Sequence, residues 1–156
     1  MDDDAEPHDL NRFVQAQASC YPQALAEVRA GHKRTHWMWF VFPQLQGLGS
    51  SSTARHYAIR DLEEARAYLA HPVLGPRLLE CTTALLAHTG RSARAIFGTP
   101  DDRKLRSCLT LFAQVSAPGS VFERVLAKYF DGEPDARTLE LLGPISRAGS
   151  PPSSAS

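Results

Sequence analysis

Between Gly31 and Gly49 the chain reads GHKRTHWMWFVFPQLQGLG, which places two tryptophans, two phenylalanines, two histidines and two glutamines within nineteen residues. Each type brings its own chemistry. An indole offers a flat face on which a nucleobase or another planar ring can stack. An imidazole titrates near neutrality, so His36 is the candidate acid/base, with a structural histidine bonded to a backbone carbonyl as the competing reading. Gln44 follows Pro43 in a Gly- and Ser-rich loop, where its amide can both donate to and accept from a ligand. Lys33 and Arg34 form a basic loop directly before the tryptophans and can neutralise a phosphate at the mouth of the same groove. On a helix Trp37 and Trp39 point about 200° apart, so they cannot both line one simple core face. One is then free to edge a groove, and the alternative is that both are packing.

A second cluster is TPDDRKL. Asp101 and Asp102 fall where the first helical turn favours negative charge, so capping explains them, and Asp102 is also a candidate general base. Lys104 follows on the same element as a further ligand-binding candidate. No other acid or histidine stands at ligating spacing, and neither a metal nor a cofactor is expected. The three cysteines, Cys20, Cys81 and Cys108, are too far apart for a CxxC motif and read as reduced, buried thiols. Cys108 has only Lys104 and Arg106 nearby to lower its pKa, so a nucleophilic role has little support. P-loop, dinucleotide-fingerprint, nucleophile-elbow and zincin patterns are absent from the sequence.

These residues must be positioned by helices. Leu10, Phe13, Val14 and Gln17 share a helical face behind Asp9 as N-cap, and Pro22 marks the first turn of a second helix that ends at Gly31. Thr35 is placed to cap the turn HWMWFVF, which Pro43 stops. Thr53 to Ala70 reads as one or two helices with Tyr57, Leu62, Ala65 and Leu69 inward. Leu74, Leu78, Leu79, Leu85 and Leu86 fit a long helix to Gly90, and SARAIF closes at Gly98. Thr99, Pro100 and Asp102 form a start signal for the helix that follows. Val121 to Phe130 and Asp135 to Leu142 complete the set. With no alternating strand pattern, the expectation is an all-α domain of seven to nine short helices.

Length and composition agree with one such domain. The chain has 156 residues, 43% of them apolar and 22% charged, enough for one hydrophobic core and no more. Seventeen bases balance seventeen acids. Five of those acids, Asp2, Asp3, Asp4, Glu6 and Asp9, lie in the first ten residues, leaving twelve against seventeen bases beyond them. That excess is short of a dedicated nucleic-acid binder, so such a partner is not expected. An acidic N-terminus with no apolar run, and no stretch near ~18 apolar residues, argue against a signal peptide or a membrane span. A cytoplasmic protein is expected. Residues 1–8 (acidic) and 143–156 (Pro/Ser-rich) cannot bury enough to order themselves, so the folded domain is read as 9–142.

Three blocks carry a resemblance. RFVQAQ (Arg12–Gln17), HWMWFVFPQLQGLG and AIFGTPDDRKL, with LTLFAQV downstream, resemble the domain-of-unknown-function 1810 family of small, mostly bacterial proteins, over roughly Leu10 to Leu142. The resemblance implies a helical fold and transfers no catalytic residue, because no reaction is assigned to the family. The label calpastatin borne by some members does not suit this chain, which is neither repetitive nor broadly disordered. Binding of a small phosphate-bearing, nucleotide-like ligand in a Trp/His/Gln pocket, with its hydrolysis as a further step, is the function expected from the residues. The alternative is a protein-interaction module with an exposed aromatic groove.

Overall fold

Glycine and proline punctuate the chain into short helices, and the computed structural model describes residues 9–143. The tails read from the sequence as 1–8 and 143–156 lie outside the described residues, Gly143 excepted. Ten α-helices follow in order: α1 (Asn11–Ala18), α2 (Tyr21–Ala30), α3 (Met38–Val41), α4 (Ser52–His56), α5 (Leu62–Ala70), α6 (Leu74–Ala84), α7 (Ala93–Phe97), α8 (Asp101–Ala113), α9 (Val121–Phe130) and α10 (Ala136–Leu142). The fold is all-α. The described residues contain no strand, only a single parallel bridge between Leu45 and Ile59.

Helix α8 is the axis of the molecule. From Ser107 to Ala113 every residue is buried, the signature of a helix surrounded on all sides rather than lying on a surface. Helices α5, α7, α9 and α10 pack against it, while α6 bridges α2, α5 and α9. Its first turn, by contrast, is only partly covered. The N-terminal end of α8 therefore reaches the surface while its C-terminal half fills the core.

Several starts and stops follow the expected chemistry. Pro22 opens α2, and Gly31 ends it at φ 76°, with its N–H donating back to Glu27 and Val28. A Cβ there would come within 3.0 Å of the His88 ring, so glycine meets both the backbone and the space requirement. Ser51, Asp61, Ser92, Ser120 and Asp135 each accept an N–H of the first turn they cap.

Other expectations are corrected. Asp9 has φ 49° and does not cap α1, since Leu10 holds the N-cap position. Thr35 does not cap α3, because its hydroxyl donates to Glu27 instead. Thr53–Ala70 is two helices, one of the two readings expected, because Ser51 and Asp61 each cap a separate start; Leu69 packs partly buried against the core as expected, and Tyr68, not expected there, is fully buried. Leu79 faces outward on α6. The α8 start also differs. Pro100 occupies the N-cap position, and the Asp102 carboxylate accepts from Thr99 Oγ1 at 3.2 Å and the Arg103 N–H at 2.9 Å.

Candidate functional site

The Trp-rich block is held in place by a residue not singled out in the sequence. Glu27, on the buried face of α2 with Ala24 and Val28, is 4% exposed. Its Oε1 accepts from the Arg34 N–H (2.8 Å), the Thr35 N–H (3.1 Å) and the Trp37 indole N–H (2.9 Å). Its Oε2 accepts from Gln23 Nε2 and Thr35 Oγ1, both at 2.8 Å. Burial alone would push this carboxyl up. The donated hydrogen bonds from Gln23, Arg34, Thr35 and Trp37 outweigh burial and bring the pKa down to about 2. The sequence held a sign of this: an acid one residue before Val28 and three after Ala24 sits on an apolar face and needs partners.

The consequence is a division of labour between the two indoles. Trp37 is 1% exposed and packs between Phe42 and Phe97, with ring centroids 6.2 and 6.3 Å away. It belongs to the core. Trp39, two residues on, is half-buried, with the Lys104 ammonium 4.4 Å from its ring centroid.

One carboxylate links this block to α8. Asp101 accepts from Lys33 Nζ at 2.9 Å and faces Lys104 Nζ at 3.6 Å. Lys33 also donates to the Thr35 carbonyl at 2.6 Å and lies over the Trp37 ring at 5.0 Å, its side chain 7% exposed. Lys33 is thus a buried strut rather than an open phosphate hook. Lys104 is held more loosely, between a carboxylate and an indole.

Trp39, Gln44, the loop Leu48–Ser51, Ala54, Pro100 and the α8 residues Arg103, Lys104 and Ser107 enclose a cleft of about 410 Å³, closed at one side by Asp135 and Arg137 of the α10 start. It narrows inward toward Met38, Phe42 and Tyr57. The 44–51 loop is fixed by backbone bonds from the Gln46 N–H to Ile59 O (2.7 Å) and from the Ile59 N–H to Gln44 O (2.8 Å). The Arg103 guanidinium has no partner among the described residues, and Arg137 faces only Glu140, at 3.5 Å. Asp135 is occupied by the Thr138 N–H (2.8 Å) and hydroxyl (2.6 Å).

The structure therefore brings Trp39, Gln44 and Lys104 together and leaves the other sequence candidates outside. Arg34 is exposed and contributes its backbone N–H to Glu27. His36 is exposed in the bend before α3, away from the cleft lining and with no hydrogen bond among the described residues. Trp37 is in the core, and Asp102 turns back onto Thr99 and Arg103. Arg103, Arg137, Ser50, Ser51 and Ser107 are cleft residues the sequence did not mark. Arg103 stood next to a chosen residue, whereas Arg137 arrives from a distant helix that no local pattern connects to the cleft.

The motif blocks prove largely structural. Arg12 donates from Nε to His56 O (2.7 Å), from Nη1 to Asp9 O (2.7 Å) and from Nη2 to Ala58 O (2.8 Å), and pairs with buried Glu64 at 3.4 Å. Gln17 donates to Phe40 O (2.7 Å) and Tyr68 Oη (3.1 Å) and accepts from Arg77 (3.2 Å). Cys108 is fully buried, and burial raises its pKa well above the ordinary thiol range. Among the described residues no group of His, Cys, Asp and Glu could hold a metal ion, and no helix is long and apolar enough to cross a membrane.

This helical scaffold, with its Trp-Glu staple and cleft, has relatives. The chain matches the family described as Protein of unknown function (DUF1810) over residues 7–142, and it belongs to that family. It is also similar to the crystal structure of the conserved hypothetical protein Rv1873 from Mycobacterium tuberculosis. The two share 56% sequence identity with a TM-score of 0.86, over 88% of this chain and 98% of that one. No curated protein matches.

Proposed function

We propose that the cleft between Trp39, the 44–51 loop and the start of α8 binds a small phosphate-bearing ligand with a planar ring, of the nucleotide class. The observation that carries this reading is the meeting of Trp39, Gln44 and three cationic side chains, Arg103, Lys104 and Arg137, around one space of about 410 Å³. The division within the cleft suits such a molecule. Trp39 and Gln44 also line the narrow inner end, where they can take a ring and its polar edge, while Arg103 and Arg137 supply a fork for phosphate oxygens. The reading is of binding alone. His36 and Asp102 lie outside the cleft, and Asp135, its one lining carboxylate, is engaged by Thr138.

Three free thiols, two of them buried, fit a reducing compartment, so we place the protein in the cytoplasm. Thermal denaturation in the presence of millimolar mononucleotides and nucleotide sugars tests the function. A ligand at 100 times its Kd adds about 2.7 kcal/mol and raises Tm measurably. The rise should vanish in Arg103→Ala. No stabilisation by any of these compounds would overturn the reading. The interaction-module alternative, in its aromatic-groove form, loses one of its two indoles to the core.

A further inference from the structure

Lys104 and Trp39 line both the open cleft and its narrow inner end. The inner end holds about 10 Å³, about the space of one water molecule, so no planar ring enters it unless a wall side chain moves. Most of that wall is fixed. Met38, Phe42, Leu45 and Ala58 are buried in the core, and the Tyr57 ring meets Phe40 edge-on with centroids 4.7 Å apart. Lys104 differs, because its ammonium rests on the half-buried Trp39 indole, 4.4 Å from the ring centroid, at the end of a flexible stem.

Charge makes that ammonium the part a ligand can move. It lies 3.6 Å from Asp101 Oδ1, and the same carboxylate pairs with Lys33 through Oδ2 at 2.9 Å. The Lys33 side chain is 7% exposed and that of Lys104 22%. The three groups therefore carry one positive charge in excess, and the cation at the cleft is the more loosely held. If Lys104 leaves, Asp101 keeps its shorter pairing and is not orphaned. A phosphate oxygen is a stronger partner for an ammonium than an indole face, or than a partly exposed carboxylate that another lysine already neutralises. Arg103 and Arg137 stand in the same wall to hold that phosphate.

We infer that Lys104 is the specificity-determining residue of the cleft: it covers Trp39 until a phosphate draws it off, and the uncovered indole then stacks the ring of the same molecule. The inference rests on the reading of the cleft as a site for a phosphate-bearing planar ligand, and adds a coupling between the two halves of that ligand. A ring without phosphate must displace the ammonium unaided. The site therefore favours a nucleotide over its nucleoside by more than the phosphate contacts alone supply.

The test titrates the wild-type chain and Lys104→Ala with the common ribonucleoside monophosphates, and with the nucleosides of those that bind, following the Trp39 indole N–H resonance. Lys104→Ala should weaken nucleotide binding about tenfold. It should tighten nucleoside binding about threefold, because the indole is then uncovered. A plain phosphate contact would lower the first and leave the second unchanged, and a merely structural residue would lower both. Either result, or nucleoside binding undetectable in both chains, would overturn the inference while leaving the cleft reading in place. No binding of any monophosphate to the wild-type chain would overturn the cleft reading and the inference with it. Inorganic pyrophosphate gives a second measurement: it should shift the Trp39 resonance of the wild-type chain as the ammonium leaves the ring, and shift it much less in Lys104→Ala. No shift, or an equal shift in both chains, would also overturn the inference. Circular dichroism and an unmoved Trp37 resonance establish that the variant is folded.

Discussion

Replacing Glu27 by Gln tests how the tryptophan block is held, and its outcome can be worked from the hydrogen bonds. The amide oxygen of a glutamine can keep the three bonds to Arg34, Thr35 and Trp37. Its NH2 group would sit where Oε2 now accepts from Gln23 and Thr35, leaving donors facing donors. The carboxylate's fall in pKa from 4.5 to about 2 corresponds to about 3 kcal/mol, at about 1.4 kcal/mol per tenfold. Because the folded pKa lies below the unfolded one, that contribution is fully present above about pH 5 and is lost as the pH falls from there toward 2. Urea denaturation of the wild type and Glu27→Gln at several pH values isolates it, since other carboxylates cancel in the difference. The gap should be about 3 kcal/mol near pH 7 and should shrink steadily below pH 4.5. A gap under about 0.5 kcal/mol at pH 7, or one that stays constant down to pH 2.5, would refute the reasoning.

His36→Asn should leave urea stability within about 0.5 kcal/mol and ligand affinity unchanged, because the side chain is exposed and lies outside the cleft; a loss of either would return it to the site. Gly75→Ala should destabilise by about 3 kcal/mol or prevent folding, since the added methyl would stand 2.0 Å from the Leu69 carbonyl oxygen, a backbone atom that cannot swing aside. Iodoacetamide should modify half-buried Cys20 first and leave Cys108 untouched until global unfolding, as mass spectrometry of the native protein would show. Native alkylation of Cys108 would show that α8 opens locally.

Much of the helical framework was legible because its punctuation is local. Pro22 and Gly31 frame α2, since capping and left-handed turns depend on a few adjacent residues. Thr35 shows where local reading fails. It has the right type and place for a cap, yet a buried carboxylate from another helix takes its hydroxyl. Lys33 failed for the same reason, as its partner Asp101 comes from a helix far along the chain. The two indoles do part, one to the core and one to the cleft, but not by helical rotation, because Trp37 stands at the N-cap of α3 with φ −139° and is held there by Glu27. The cleft's second wall, from α10, carries no local mark at all.

The two tryptophans give the most direct test of the ligand cleft. Each contributes one indole N–H resonance to a proton–nitrogen correlation spectrum, assignable with Trp39→Phe. Trp37 is pinned to Glu27 in the core and Trp39 lines the cleft. Titration with mononucleotides and nucleotide sugars should move the Trp39 resonance saturably and leave that of Trp37 in place, with the shift weakened by Arg103→Ala and absent with the corresponding nucleosides. A Trp39 resonance unmoved by every compound, or moved equally by nucleosides without phosphate, would contradict the assignment of this cleft to a phosphate-bearing ligand.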